Sequence, residues 1–95
     1  MEKLFSMLGL ARRAGKLLIG RDCVMASARR GRLKLALYTA DASLRHLREL
    51  DALGCAAKAI PLPCTMEELA PYIGKRSCIF ALEDENFSAA IQKLI

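Results

Sequence analysis

With 95 residues, 54% of them hydrophobic and only 5% aromatic, the chain is sized for a single domain, 1–95, with an aliphatic core. This composition excludes a disordered tail, and no apolar run reaches the ~20 residues that a bilayer-spanning helix needs. The net charge of +5 is unevenly placed. Residues 1–48 hold eleven Lys and Arg against three acids, and residues 49–95 hold four against seven. A basic half in so small a domain points to a polyanion held on one side.

Leu4, Met7, Leu8 and Ala11 recur at helical spacing and predict an amphipathic helix over 2–13. Ala14-Gly15 ends it, with Arg12 and Arg13 at the negative helix end. Lys16 to Ile19 reads as a short strand closed by Gly20. Asp22 is a candidate cap for a helix over about 22–30, with Val24 and Ala28, and also Cys23 and Ser27, as inward candidates. Arg29 and Arg30 fall in its last turn before Gly31.

Leu33 to Thr39 is apolar apart from Lys34, the pattern of a strand buried on both faces. Asp41 or Ser43 then caps a helix with Leu44, Leu47 and Leu50 on its inner stripe, ended by Gly54. Ala56 to Leu62 is expected to be a strand. Thr65-Met66-Glu67-Glu68 has the capping-box pattern of a short helix running to about Tyr72 despite Pro71. After the turn Gly74-Lys75-Arg76, Ser77 to Leu82 reads as the last strand. Acids at 83–85 open a final helix that buries Phe87, Ala90, Ile91 and Leu94. The order α-β-α-β-α-β-α-β-α argues for a sheet between helices.

Cys23, Cys55, Cys64 and Cys78 form no C-x-x-C pair, and the single histidine, His46, lies in a separate basic stretch. No metal site is expected, and the cysteines, set among apolar neighbours, read as small hydrophobes of a reduced, cytoplasmic protein. The opening stretch carries charges at Glu2, Lys3, Arg12 and Arg13, so no secretory leader is expected.

No serine lies in a G-x-S-x-G context, and neither a P-loop nor G-x-G-x-x-G is present. His46 reads as a solvated side chain and Asp41 as a cap, so no catalytic residue, cofactor or small-molecule substrate is expected. The basic set is more coherent. Gly20 and Arg21 lie beside the free N–H groups of a helix start, which attract phosphate. Lys16, Arg29, Arg30, Arg32 and Lys34 are expected to surround the same surface.

The stretches LGLARRAGKLLIG (Leu8–Gly20), RRGRLKLALYTADAS (Arg29–Ser43) and ELAPYIGKRSCIFALED (Glu68–Asp84) together resemble the kink-turn RNA-binding ribosomal proteins of the L-seven-Ae and L-thirty-e type, in particular their small bacterial YlxQ-like branch. The resemblance spans nearly the whole chain. It implies a three-layer α/β/α sandwich with a four-stranded mixed sheet, no enzymatic activity, and a structured RNA partner, ribosomal RNA or a kink-turn, bound by a monomer in the cytoplasm. The family's site is a glycine-led helix start, G-x-N-E-x-x-K, with an apolar loop before a later helix. By position, the glycine is Gly20, while Asp22, Cys23 and Ala26 stand where the pattern has Asn, Glu and Lys. The loop falls on Pro63, Cys64 and Thr65. The resemblance and the charge pattern together assign RNA contact to Lys16, Gly20, Arg21, Asp22, Cys23, Arg29, Arg30, Arg32, Pro63, Cys64 and Thr65. The same fold without the kink-turn code would instead be a protein-interaction module, presenting its acidic residues Glu67, Glu68, Glu83, Asp84 and Glu85, or an apolar patch, to a partner.

Overall fold

The computed structural model describes residues 2–95 and has the expected α/β/α architecture. In chain order the elements are α1 (Glu2–Arg13), β1 (Leu17–Ile19), α2 (Arg21–Arg29), β2 (Leu35–Tyr38), α3 (Leu44–Ala52), β3 (Ala59–Pro61), α4 (Met66–Ile73), β4 (Ile79–Leu82) and α5 (Glu85–Gln92). The four strands form one mixed sheet in the order β1-β4-β2-β3. β4 is antiparallel to both β1 and β2, and β2 runs parallel to β3.

Alternation along the central strands separates two cores. Leu35, Leu37, Phe80 and Leu82 face one side, where they meet Leu4 and Leu8 of α1, Leu69 and Ile73 of α4, and Ile91 of α5. Ala36, Ile79 and Ala81 face the other side and meet Val24, Met25 and Ala28 of α2 and Leu50 of α3. Large strand residues alone line the three-helix side, whereas Ala36 and Ala81 share the two-helix side with the larger Ile79. Each fully buried leucine contributes about 1.5–3 kcal/mol. Between α1 and α4, Gly9 permits close approach, because a Cβ there would lie 3.1 Å from the Tyr72 carbonyl oxygen.

Several local expectations change. The stretch 56–62 is not one strand: Ala56–Lys58 forms a single tight helical turn, and only Ala59–Pro61 pairs with β2. Pro61 and Pro63 lack the N–H groups that would extend this edge. Asp22 does not cap α2. Gly20 is the N-cap, and Asp22 lies in the first turn. Cys23 is exposed rather than inward, whereas Ser27 is buried. Ser43, not Asp41, caps α3, its hydroxyl accepting from the Arg45 amide at 3.2 Å. Leu44 is 65% exposed, so the buried residue of α3 is Leu50. The Thr65–Glu68 capping box forms as expected, and among the acids expected at the start of α5 it is Asp84 that caps the helix, its carboxylate accepting from the Phe87 amide. No helix among the described residues is long and apolar enough to cross a membrane.

Candidate nucleic-acid interface

Three backbone hydrogen bonds run across one end of the sheet. The Gly20 amide donates to the Ile79 carbonyl (3.1 Å), Thr39 to Cys78 (2.9 Å), and Ala40 to Cys64 (2.8 Å). They tie together the start of α2, the entry to β4, the turn after β2 and the loop before α4. Gly20–Cys23 and Pro63–Thr65, distant in sequence, thus share one rim, at opposite sheet edges separated by roughly 14 Å, three strand spacings.

Gly20 sits at φ 96°, ψ 158°, a region open in practice only to glycine. Nothing lies within 4 Å of the position a Cβ would occupy. No side chain caps α2, so its first-turn N–H groups stay unclaimed by a cap and, with the helix dipole, favour an anion.

The Arg21 guanidinium is turned to its own surface. Its Nε donates to Glu49 Oε1 at 3.0 Å, its Nη2 donates to Glu49 Oε2, and its Nη1 donates to Asp22 Oδ1 at 3.0 Å. The bond from Arg21 holds the Glu49 carboxyl below the usual range, and Glu49 raises the Arg21 pKa in return.

At the other edge, Pro63 is exposed, Thr65 is half-buried with its hydroxyl in the capping box, and Cys64 is buried. Burial pushes the Cys64 thiol pKa up, aided by Glu68 and Asp41. Of the three loop residues, Pro63 is the one presented to a partner. Asp41 reaches the start of α4, its Oδ1 accepting from the Met66 amide at 3.0 Å. The Thr39 hydroxyl and that amide keep its carboxyl below the usual range.

The spacing of residues did not reveal that Arg76, Ser77 and Cys78 join this rim. They arrive because β4 enters the sheet between β1 and β2 at this end. Arg76 pairs with Glu67 at 3.1 Å. His46 is half-buried rather than solvated, and its Nδ1 lies 3.7 Å from the Cys78 sulfur. The Gly74-Lys75-Arg76 turn was visible in the sequence, but its destination depended on strand order.

The remaining basic residues do not share this surface. Arg29 and Arg30 end α2, about 13 Å from its start at 1.5 Å per residue. Arg32 and Lys34 follow, the Lys34 amide donating to the Leu82 carbonyl at 2.9 Å. Lys16 borders a hollow of about 280 Å³ beside Glu83 and Asp84. The expected single basic surface is therefore two ends of one sheet. Among the described residues, no group of three or more His, Cys, Asp or Glu side chains is placed to hold a metal ion.

No protein-family model matches the chain. It is 28% identical over 98 residues to the RNA-binding protein YlxQ of Enterococcus faecium, covering 99% of this chain and 92% of that protein. A solved structure of a protein of unknown function from Bacillus halodurans C superposes with a TM-score of 0.84 at 28% identity, over 99% of this chain and 97% of that one. The Giardia lamblia 15.5kD RNA binding protein shares the fold, with a TM-score of 0.68 at 12% identity over 97% and 87% of the two chains. The named relatives carry names of binding rather than of a reaction. Near-full-length similarity to that RNA-binding protein, and the fold shared with both structures, support the likeness to the YlxQ-like branch of the L-seven-Ae and L-thirty-e type.

Proposed function

We propose that the protein is a non-enzymatic RNA-binding protein that grips structured RNA, ribosomal RNA or a kink-turn, as a ribosome-associated monomer in the bacterial cytoplasm. One observation carries the reading: α2 begins uncapped at a glycine-only conformation with open space above it, on the rim shared by Pro63 and the entry to β4. That arrangement lets an RNA backbone approach the helix start and leaves Pro63 to pack on an unstacked base. The name of the relative from Enterococcus faecium supports the same partner class.

A second reading rests on Arg21. Its charge is answered by Glu49 and Asp22, and Cys23 and Ala26 offer neither a strong acceptor nor a cation. On this reading the fold serves as a protein-interaction module without kink-turn recognition.

A titration of one labelled kink-turn RNA against a matched straight duplex, at two salt concentrations, separates the two. Preference for the kink-turn supports recognition at the α2 rim. Equal, salt-sensitive binding to both reduces the function to a general clamp on structured RNA. Absence of binding to either overturns the RNA reading in favour of the interaction module.

A further inference from the structure

The turn that ends α2 is a fixed platform for cations. The Arg32 amide donates to the Ser27 carbonyl and the Gly31 amide to the Ala28 carbonyl, both at 3.1 Å, with Gly31 at φ 70°. This is the Schellman arrangement, which satisfies two of the free carbonyls at the helix end. Arg29, Arg30, Arg32 and Lys34 are all exposed around it.

The helix dipole accounts for cations at Arg29 and Arg30, in or next to the last turn. It does not account for Arg32 and Lys34, which lie beyond the helix. Among the described residues, the ion pairs are Arg21–Asp22, Arg21–Glu49 and Arg76–Glu67. Arginines of the α2-start rim are thus neutralised by acids, while none of these four cations is. Four like charges within six residues repel one another, and a bound polyanion relieves that repulsion.

The surroundings narrow the partner. The neighbouring apolar residues Ala28 and Leu33 are buried, so no hydrophobic side chain is offered to a membrane. No aromatic residue lies between Arg29 and Leu37 to stack an unpaired base. Guanidinium groups suit phosphate oxygens through paired N–H donors. We infer that Arg29, Arg30, Arg32 and Lys34 form a second RNA contact, which holds the phosphate backbone of a duplex arm independently of the α2-start rim. Lys58 adds charge near this end while its Nζ donates to the Leu33 carbonyl at 3.1 Å.

The inference rests on the RNA-binding reading, and the test keeps the two apart. The full chain is titrated with a plain RNA duplex and with a kink-turn RNA over a salt series. The R29Q/R30Q/R32Q/K34Q variant is expected to lose at least tenfold in affinity for the plain duplex at ~100 mM salt, with a slope of log K against log salt shallower by about 3. R29K/R30K/R32K, which keeps the charge, is expected to keep the slope and so to separate charge loss from misfolding. Lys93→Gln, which removes an exposed charge at the end of α5 outside both contacts, is expected to leave the plain-duplex slope unchanged. A slope the Gln variant does not alter overturns the second contact while RNA binding stands, as does equal loss of the slope in Lys93→Gln. Failure of the unmodified protein to bind either RNA overturns both readings together.

Discussion

Arg21, in the first turn of α2, is clamped by Glu49 of α3, 28 residues away, through both guanidinium and carboxylate forks. The pair joins the two helices of one layer at the edge of the proposed RNA rim. It also sets the rim's charge, because an arginine held by its own protein is withheld from phosphate.

Glu49→Gln should release Arg21 and raise RNA affinity by about two- to fivefold, the scale of an exposed ion pair. Equilibrium titration at fixed salt reads this directly, and a fall in affinity would mean that Glu49 serves the RNA by orienting Arg21. The pair also carries a pH signature. Glu49 has a lowered folded-state pKa. Its contribution to stability is therefore complete above the ordinary glutamate value and lost as pH falls through the lowered one. Denaturant titrations over that acid window should show a smaller loss of stability for Glu49→Gln than for the unmodified chain.

Gly20→Ala should cost about 1–3 kcal/mol, although no neighbouring atom obstructs the added methyl group. The penalty is one of backbone conformation, so a larger side chain such as Val should cost at least as much. Urea unfolding of both variants checks this. A neutral Gly20→Ala would show that the start of α2 rearranges freely, and would remove the main support for a pre-formed anion site.

Thiol titration of the native protein should resolve two classes. Cys23 is exposed and should react first, and half-buried Cys78, beside His46, should follow. Cys55 and Cys64 are buried and should react only on unfolding. An anionic adduct at Cys23, in the first turn of α2, should weaken RNA binding several-fold by repelling phosphate. Four thiols of equal reactivity would contradict the packing around Cys64 and Cys55.

Leu37→Ala should destabilise the fold by about 2–5 kcal/mol, because Leu37 is fully buried on the three-helix side of β2. Thr65→Ala should cost less, about 0.5–2 kcal/mol, through loss of the α4 cap. Reversal of this order in denaturant titrations would place the stability of the fold in its helix caps rather than in its core.

The layer architecture and most of the core were legible because the periodicities are clean. Leu4, Leu8 and Ala11 mark α1, and the run Leu33 to Thr39 marks a strand buried on both faces, of which Leu35–Tyr38 pairs in the sheet. The capping box at Thr65 was legible, because its side chains make it. The cap was misread at α2, where Asp22 is a good capping residue in composition but a backbone conformation at Gly20 starts the helix earlier. Leu44 misled because it fits the helical stripe of α3 yet stands exposed at its first residue. The division of the basic residues into two ends was implicit in the length of α2, which sets Arg29 two turns from Arg21. The meeting of the β4 entry with Gly20 and Thr39, through the Ile79 and Cys78 carbonyls, depended on strand order, which spacing along the chain does not encode.

The strand order has a further consequence for how the molecule is made. β4, the last strand synthesised, lies between β1 and β2 and pairs with both. Until it emerges from the ribosome, β1 has no partner, and β2 has only the short parallel pairing with β3. The proposed RNA rim is likewise incomplete, because Cys78 and Ile79 supply the carbonyls that anchor Thr39 and Gly20. Such long-range pairing makes folding a late event, slower than in a helical bundle of this size. A nascent chain stalled before residue 79 should therefore remain protease-sensitive and without RNA affinity, however many of its helices have already formed.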